Sequence, residues 1–316
     1  MLRFIGKNIV FLLASLLAVS FLVFALNEMS PGSAALKILG PYALPEQIAA
    51  VTRELGLDRP FLVRYLDYLA HCLRGNFGRS ILYNAPVTEV ISARLWNTFI
   101  LASTAFALIV PLSIFLGVAA GKREGGLVDR LVILFTTIAS SIPEYAMGVI
   151  LTTIFVVMLG WLPGTSPMVE AGGWSIAAQM VLPVAVITLF DAGYVTAMVR
   201  ASMVEVMERP FIRTAILKGL PERLVVVRHA LRNALIAPIT VILLQINYLI
   251  SGVVIVETMF AYPGFGRMML EAALAKDIAL VEAGALIAVF VAVFTNLMSD
   301  LCYALLDPRI RIQAQP

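Results

Sequence analysis

Seven basic residues fall in residues 200–237, with long apolar runs on both sides. They are Arg200, Arg209, Arg213, Lys218, Arg223, Arg228 and Arg232, set against Glu205, Glu208 and Glu222. In the middle stands Lys218-Gly219-Leu220-Pro221. Glycine just past a helix end takes the left-handed conformation cheaply, and a proline soon after stops the helix from continuing. The stretch therefore reads as two short helices joined at Gly219. It forms a charged surface between membrane spans, suited to docking a soluble partner. It is enclosed between spans, and nothing in it points to nucleic acid.

The other chemically informative residues lie inside apolar runs. Polar groups at membrane depth are costly and usually face a bundle interior or a watered cavity. Asp191 lies nine residues before Arg200, roughly 13 Å along a helix. Gln245 is ten residues past Leu235, roughly 15 Å, and Asn296 is eleven before Asp307, roughly 16 Å. With a hydrocarbon core of about 30 Å, all three fall near the midplane. They read as a polar layer lining a translocation path. For Gln245 and Asn296, interhelical hydrogen bonding explains the residues equally well. For Asp191 the path reading is preferred, because no basic residue shares its depth. Glu144 is placed about 20 Å from Arg130, in the outer half of its span; beside Pro143 it marks a bent helix at an outer gate or caps the freed backbone, and the cap is preferred. On this reading no second carboxylate matches the depth of Asp191.

Catalytic signatures are missing from the sequence. His71 and His229 are the only histidines, and neither has a metal-ligand spacing around it. No H-E-x-x-H or G-x-S-x-G occurs. No G-x-x-x-x-G-K-[ST] occurs either, so the chain has no loop of that type to cradle phosphates. Energy for transport must come from another polypeptide or from an ion gradient acting through Asp191. Cys72 and Cys302 are predicted on opposite sides of the membrane, too far apart for a disulfide. Asp300, Asp307 and Arg309 read as structural locks at the end of the last span.

These residues must be held by membrane helices. Of 316 residues, 60% are hydrophobic and 14% charged, a balance suited to a bilayer and not to a soluble domain. The apolar run at 9–26 exceeds a usual signal-peptide core and reads as an uncleaved first span. Residues 29–94 have ordinary soluble composition. They are predicted to form a small helical extracytoplasmic subdomain, with a helix starting at Pro45 and another over 61–73. Further spans are predicted within 95–121 and 131–162, ending at 199, and at about 235–256 and 283–306. A short outer helix is predicted over 268–276. The loop at 122–130 and the stretch at 200–237 carry excess base, while 163–174 carries none, so both ends are placed in the cytosol. The expected fold is an all-α integral membrane protein with six transmembrane helices. Its divisions are 1–28, 29–94, 95–306 and a tail at 307–316.

Several of these pieces resemble one family. The sequence Thr214-Ala215-Ile216-Leu217-Lys218-Gly219-Leu220, followed by His229-Ala230-Leu231-Arg232-Asn233-Ala234, resembles the coupling loop of ABC importer permeases of the dipeptide/oligopeptide/nickel family. Ile216 and Leu217 depart from its pattern. Pro31-Gly32, Glu257-Thr258-Met259-Phe260 with Pro263-Gly264-Phe265-Gly266, and Asp307-Pro308-Arg309-Ile310-Arg311 extend the likeness along the whole chain. The resemblance implies a type I ABC importer permease fold in a bacterial inner membrane. It implies a second homologous permease, two ATPase subunits carrying ATP and Mg, and an extracytoplasmic solute-binding protein. No cofactor is expected on this chain. Substrates would be peptides, nickel, nickel chelates or related solutes. The ATPase contact would be made by Glu208, Arg213, Thr214, Ala215, Lys218, Gly219, Leu220, Arg228 and Arg232.

Overall fold

The computed structural model describes residues 2–29, 44–54, 59–169, 173–251 and 253–306. The Pro31-Gly32 pair and the tail from Asp307 onward lie outside the described residues, as does the side chain of Asp300. The described chain is helical apart from one hairpin and its loops. Contacts group it into two compact units, Met1–Leu95 with Met268–Val293, and Trp96–Arg267 with Phe294–Pro316.

In the first unit, α1 (Leu2–Met29) is an almost unbroken apolar run. After α2 (Pro45–Glu54), α3 (Phe61–Leu73) lies along it. The period of α3 puts Phe61, Tyr65 and Tyr68 on one side, and their rings meet Phe21 and Phe24 at 5.4–5.8 Å. Ser20 Oγ and Tyr65 Oη share a hydrogen bond of 2.8 Å. Strands β1 (Arg79–Ser80) and β2 (Ala85–Pro86) form the hairpin. It is pinned to the start of α13 (Ile278–Leu306) by buried Asp277. Ser80 Oγ and Leu82 N donate to Asp277 Oδ2 at 2.6 and 3.0 Å, and Leu280 N donates to Oδ1 at 3.2 Å. One carboxylate thus caps a helix and anchors a hairpin.

In the second unit, α4 (Val87–Gly121, which begins in the first) is followed by α5 (Leu127–Ser141), α6 (Glu144–Met158) and α7 (Ile176–Met207). Then come α8 (Pro210–Leu217), α9 (Glu222–Ala234), α10 (Ile236–Ser251) and α11 (Val254–Met259). Helix α12 (Phe265–Ala275) leads on to α13. The core is apolar and tight, with Leu101, Ile187, Val195, Val199 and Tyr262 fully buried. At the ends of α4 and α7 the backbones approach closely. A Cβ on Gly117 would fall 2.6 Å from Val199 Cβ, and one on Gly121 would fall 2.6 Å from Met203 Cβ. Four residues apart, these two glycines form the small-x-x-x-small stripe that lets membrane helices touch.

The span expected at 131–162 is broken at the proline, where a bent helix is one of the two readings of the sequence. The segment at 131–162 is a pair, α5 and α6, bent by 102°. Proline disfavours the helical region for the residue before it. Ile142 accordingly sits at φ −87°, ψ 122° and Pro143 begins a new helix. The 57° bend between α9 and α10 falls at Leu235, where the coupling stretch meets the span expected from 235. Three described helices are long and apolar enough to cross a membrane, or up to five if each bent pair is one span; Val10–Leu26 is a shorter apolar helix.

Candidate coupling surface and translocation path

The basic stretch folds as two arms around Gly219. Helix α8 begins with Pro210, whose missing N–H costs nothing at that position. It ends at Lys218, after which Gly219 takes φ +74°. Gly219 N donates to Ile216 O at 2.9 Å and Leu220 N to Ala215 O at 3.4 Å. These two bonds are a Schellman stop, and they satisfy carbonyls the helix end would leave open. The inner faces of both arms are apolar. Ile212, Ala215, Val225, Val226, Ala230 and Ala234 pack with Met203 and Val206, and Leu220 rests against them.

The outer face carries most of the residues singled out from sequence. Glu208, Arg213, Thr214, Lys218, Gly219, Arg228 and Arg232 are exposed. Ala215 is buried and Leu220 half-buried, so these two support the bend. Leu217 and Ile216, which break the family pattern, are 82% and 55% exposed. Apolar side chains among exposed cations are what a protein-docking surface needs at its centre.

Arg200 has a different role from the other cations. Its Nε and Nη2 donate to Asp129 Oδ1 and Oδ2 at 2.6 and 2.8 Å, and Asp129 is 2% exposed. Gly125 N also donates to Asp129 Oδ2, at 2.8 Å. Arg123 Nη2 reaches Glu222 Oε2 at 2.9 Å. The short 122–126 connection is thereby tied to α7 through Arg200 and to α9 through Glu222. Sequence reading missed Asp129, because a count of charges does not pair them.

Within the apolar bundle, Asp191 on α7 is buried and hydrogen-bonded by the Gln245 side chain from α10. Glu144 on α6 is buried as well, and its charge acts on Asp191. Tyr248 Oη donates to Glu144 Oε2 at 3.3 Å. Sequence reading sets the two carboxylates at different depths and does not pair them. Glu144 opens the first turn of α6, and α6 packs against α7. Asp191 Oδ2, Glu144 Oε1, Thr188 Oγ1 and Thr196 Oγ1 are buried without a hydrogen-bond partner among the described residues. Unpartnered oxygens at such depth are what a hydrated or solute-bearing path requires. Asn296 is exposed on α13.

Glu257 gives the outer motif a physical role. It is fully buried and accepts from Thr98 Oγ1 at 2.5 Å and from Arg267 N at 3.0 Å. Phe265 N donates to the same Thr98 hydroxyl at 2.8 Å. The carboxylate holds the first turn of α12 against α4.

Residues 113–312 match the family model for the binding-protein-dependent transport system inner membrane component, and residues 1–102 match the N-terminal model of the same group. The chain belongs to this family. It is the membrane component of a binding-protein-dependent importer, a permease and not an enzyme. A putative peptide transport system permease protein of Brucella abortus (strain 2308) is 36% identical over 314 residues, covering 98% of this chain and 99% of the relative. A glutathione transport system permease protein of Salmonella typhimurium is 35% identical over 311 residues, with the same coverage of each chain. The MetNI methionine ABC transporter, solved in inward-facing conformations, matches with a TM-score of 0.50 at 17% identity. That match covers 69% of this chain and 96% of the other, and it shows the fold to be that of an ABC importer permease. The ion-coupled secondary transporter, weighed above, has no support in this family.

Proposed function

We propose that this permease carries peptides across a bacterial inner membrane as one half of an ATP-driven importer. The observation that carries the substrate class is the full-length likeness to permeases named for peptide and glutathione transport. Those relatives favour peptides over nickel. A second permease of the same family supplies the other half of the path. Two ATPase subunits with ATP and Mg supply the energy, and an extracytoplasmic binding protein delivers the solute. The chain crosses the membrane six times with both termini in the cytosol, counting α1 and each bent pair as one span. Residues 29–94 face the opposite side. The exposed face of α8 and α9, from Glu208 through Lys218 to Arg232, is the ATPase contact. Asp191 and Gln245, with Glu144, line the path, and Asn296 extends it along α13.

The test is peptide uptake into proteoliposomes holding both permeases and both ATPases, with the binding protein added. Uptake that persists with an uncoupler and stops without ATP is the expected result. Uptake that follows an ion gradient instead refutes the proposal.

A further inference from the structure

An open groove of about 790 Å³ runs between α4 and α9. Its walls are apolar, with Pro111 and Phe115 on one side and Val227 on the other. Phe115 is 70% and Val227 57% exposed, so the chain itself does not fill it. The polar residues sit together at one end: Lys122, Glu222 and Arg223. Glu222 is already engaged by Arg123 at 2.9 Å. Lys122 and Arg223 are exposed and make no ion pair among the described residues. The end of the groove therefore offers two uncompensated cations.

The dimensions match one leaflet. From Pro111 to Lys122 is eleven residues, about 16 Å of helix. Half of a hydrocarbon core is about 15 Å. A slot one leaflet deep, apolar along its length and cationic at its mouth, fits a chain with an anionic head. A helix of the partner permease would need an acid placed against each cation to avoid leaving charge uncompensated.

We propose that this groove binds an anionic phospholipid of the cytosolic leaflet, an acyl chain along Phe115 and Val227 and the phosphate between Lys122 and Arg223. The proposal rests on the orientation given above, with Lys122 in the cytosol. The lipid would then touch α9, the second arm of the coupling surface, and the charge of the membrane would act on coupling.

The experiment uses the assembled importer, delipidated in detergent and titrated with phosphatidylglycerol or with phosphatidylcholine of the same chains, and read by native mass spectrometry. Phosphatidylglycerol is expected to stay bound under activation that strips phosphatidylcholine. A basic residue near the surface contributes a factor of about five in binding anionic lipid. The Lys122→Gln/Arg223→Gln double variant should therefore lower phosphatidylglycerol retention roughly 30-fold, and Lys122→Arg should keep it. A photoactivatable phosphatidylglycerol should crosslink to peptides from 110–122 and 222–231. Equal retention of the two lipids, or no loss in the double variant, overturns the proposal. So does crosslinking of the second permease to a Phe115→Cys variant, which would make the groove a subunit contact. The orientation itself is read separately, by labelling a Lys122→Cys variant from each side of the membrane.

Discussion

Arg200 grips Asp129 through two parallel hydrogen bonds of 2.6 and 2.8 Å, with the carboxylate at 2% exposure and the guanidinium side chain at 21%. Paired this way, two oxygens meet two N–H groups in one plane, the strongest geometry such a pair has.

Removing one partner leaves the other without its match. Breaking a buried pair costs about 3–5 kcal/mol, and the partial exposure of Arg200 puts this one near 3. Asp129→Ala is expected to lower the unfolding midpoint of the purified importer. Asp129→Ala combined with Arg200→Leu should recover part of it. Differential scanning fluorimetry on the four members of the cycle measures the coupling. Additive effects would show that the pair contributes nothing of its own.

Gly219→Val tests the bend. A Cβ there meets nothing within 4 Å, so the cost is purely conformational. A side chain at φ +74° loses about 1–2 kcal/mol, and a β-branched one more. The variant should reach the membrane at normal levels, bind ATPase subunits weakly and lose binding-protein-stimulated hydrolysis, with Gly219→Ala intermediate. Pull-down and turnover in proteoliposomes check this. Full stimulated turnover by Gly219→Val would remove the bend from the coupling mechanism.

Asp191→Leu deletes the deep carboxylate and strands Gln245. Uptake is expected to fall at least about tenfold while the four subunits still co-purify, because the core around Val195 and Val199 does not depend on it. Normal uptake would exclude Asp191 from the path. Failure to assemble would give it a structural role instead.

Under the proposed orientation Cys72 would report on the outer side, but slowly. It lies on α3, in a groove shared with Leu69 and with Leu13 and Leu17 of the first apolar run. Burial pushes its thiol up, against a hydrogen bond with Tyr68 that pulls the other way. The thiolate is the reacting form, so maleimide labelling should accelerate as pH rises above neutral. An exposed Leu82→Cys at the hairpin tip should label faster at pH 7 in intact cells. If neither labels from outside, the proposed orientation is wrong.

The Gly219 turn was readable from sequence because its cause is local: a glycine, a proline two residues on, and a helix end to satisfy. The same holds for the helix over 61–73, whose aromatic spacing alone selects its face. The partnership of Glu144 with Asp191 was not readable. The two residues lie on different helices, and their pairing depends on how α6 packs against α7. Asp129 and Arg200 stand 71 residues apart on different helices, and no local pattern pairs them. Glu257 was visible as part of a motif, but its bonds to Thr98 and Arg267 depend on tertiary contact.

The contact of Gly117 with Val199 and of Gly121 with Met203 leaves no slack between α4 and α7. Neither helix can roll or slide on the other without a steric collision, so the pair turns as one stiff strut. Arg123 fastens the base of that strut to the second coupling arm through Glu222, and Arg200 fastens it to α5 through Asp129. If the exposed face of α8 and α9 is the ATPase contact, as proposed, a push arriving at Gly219 would reach α4 and α7 as one body, and Asp191 would move with α7.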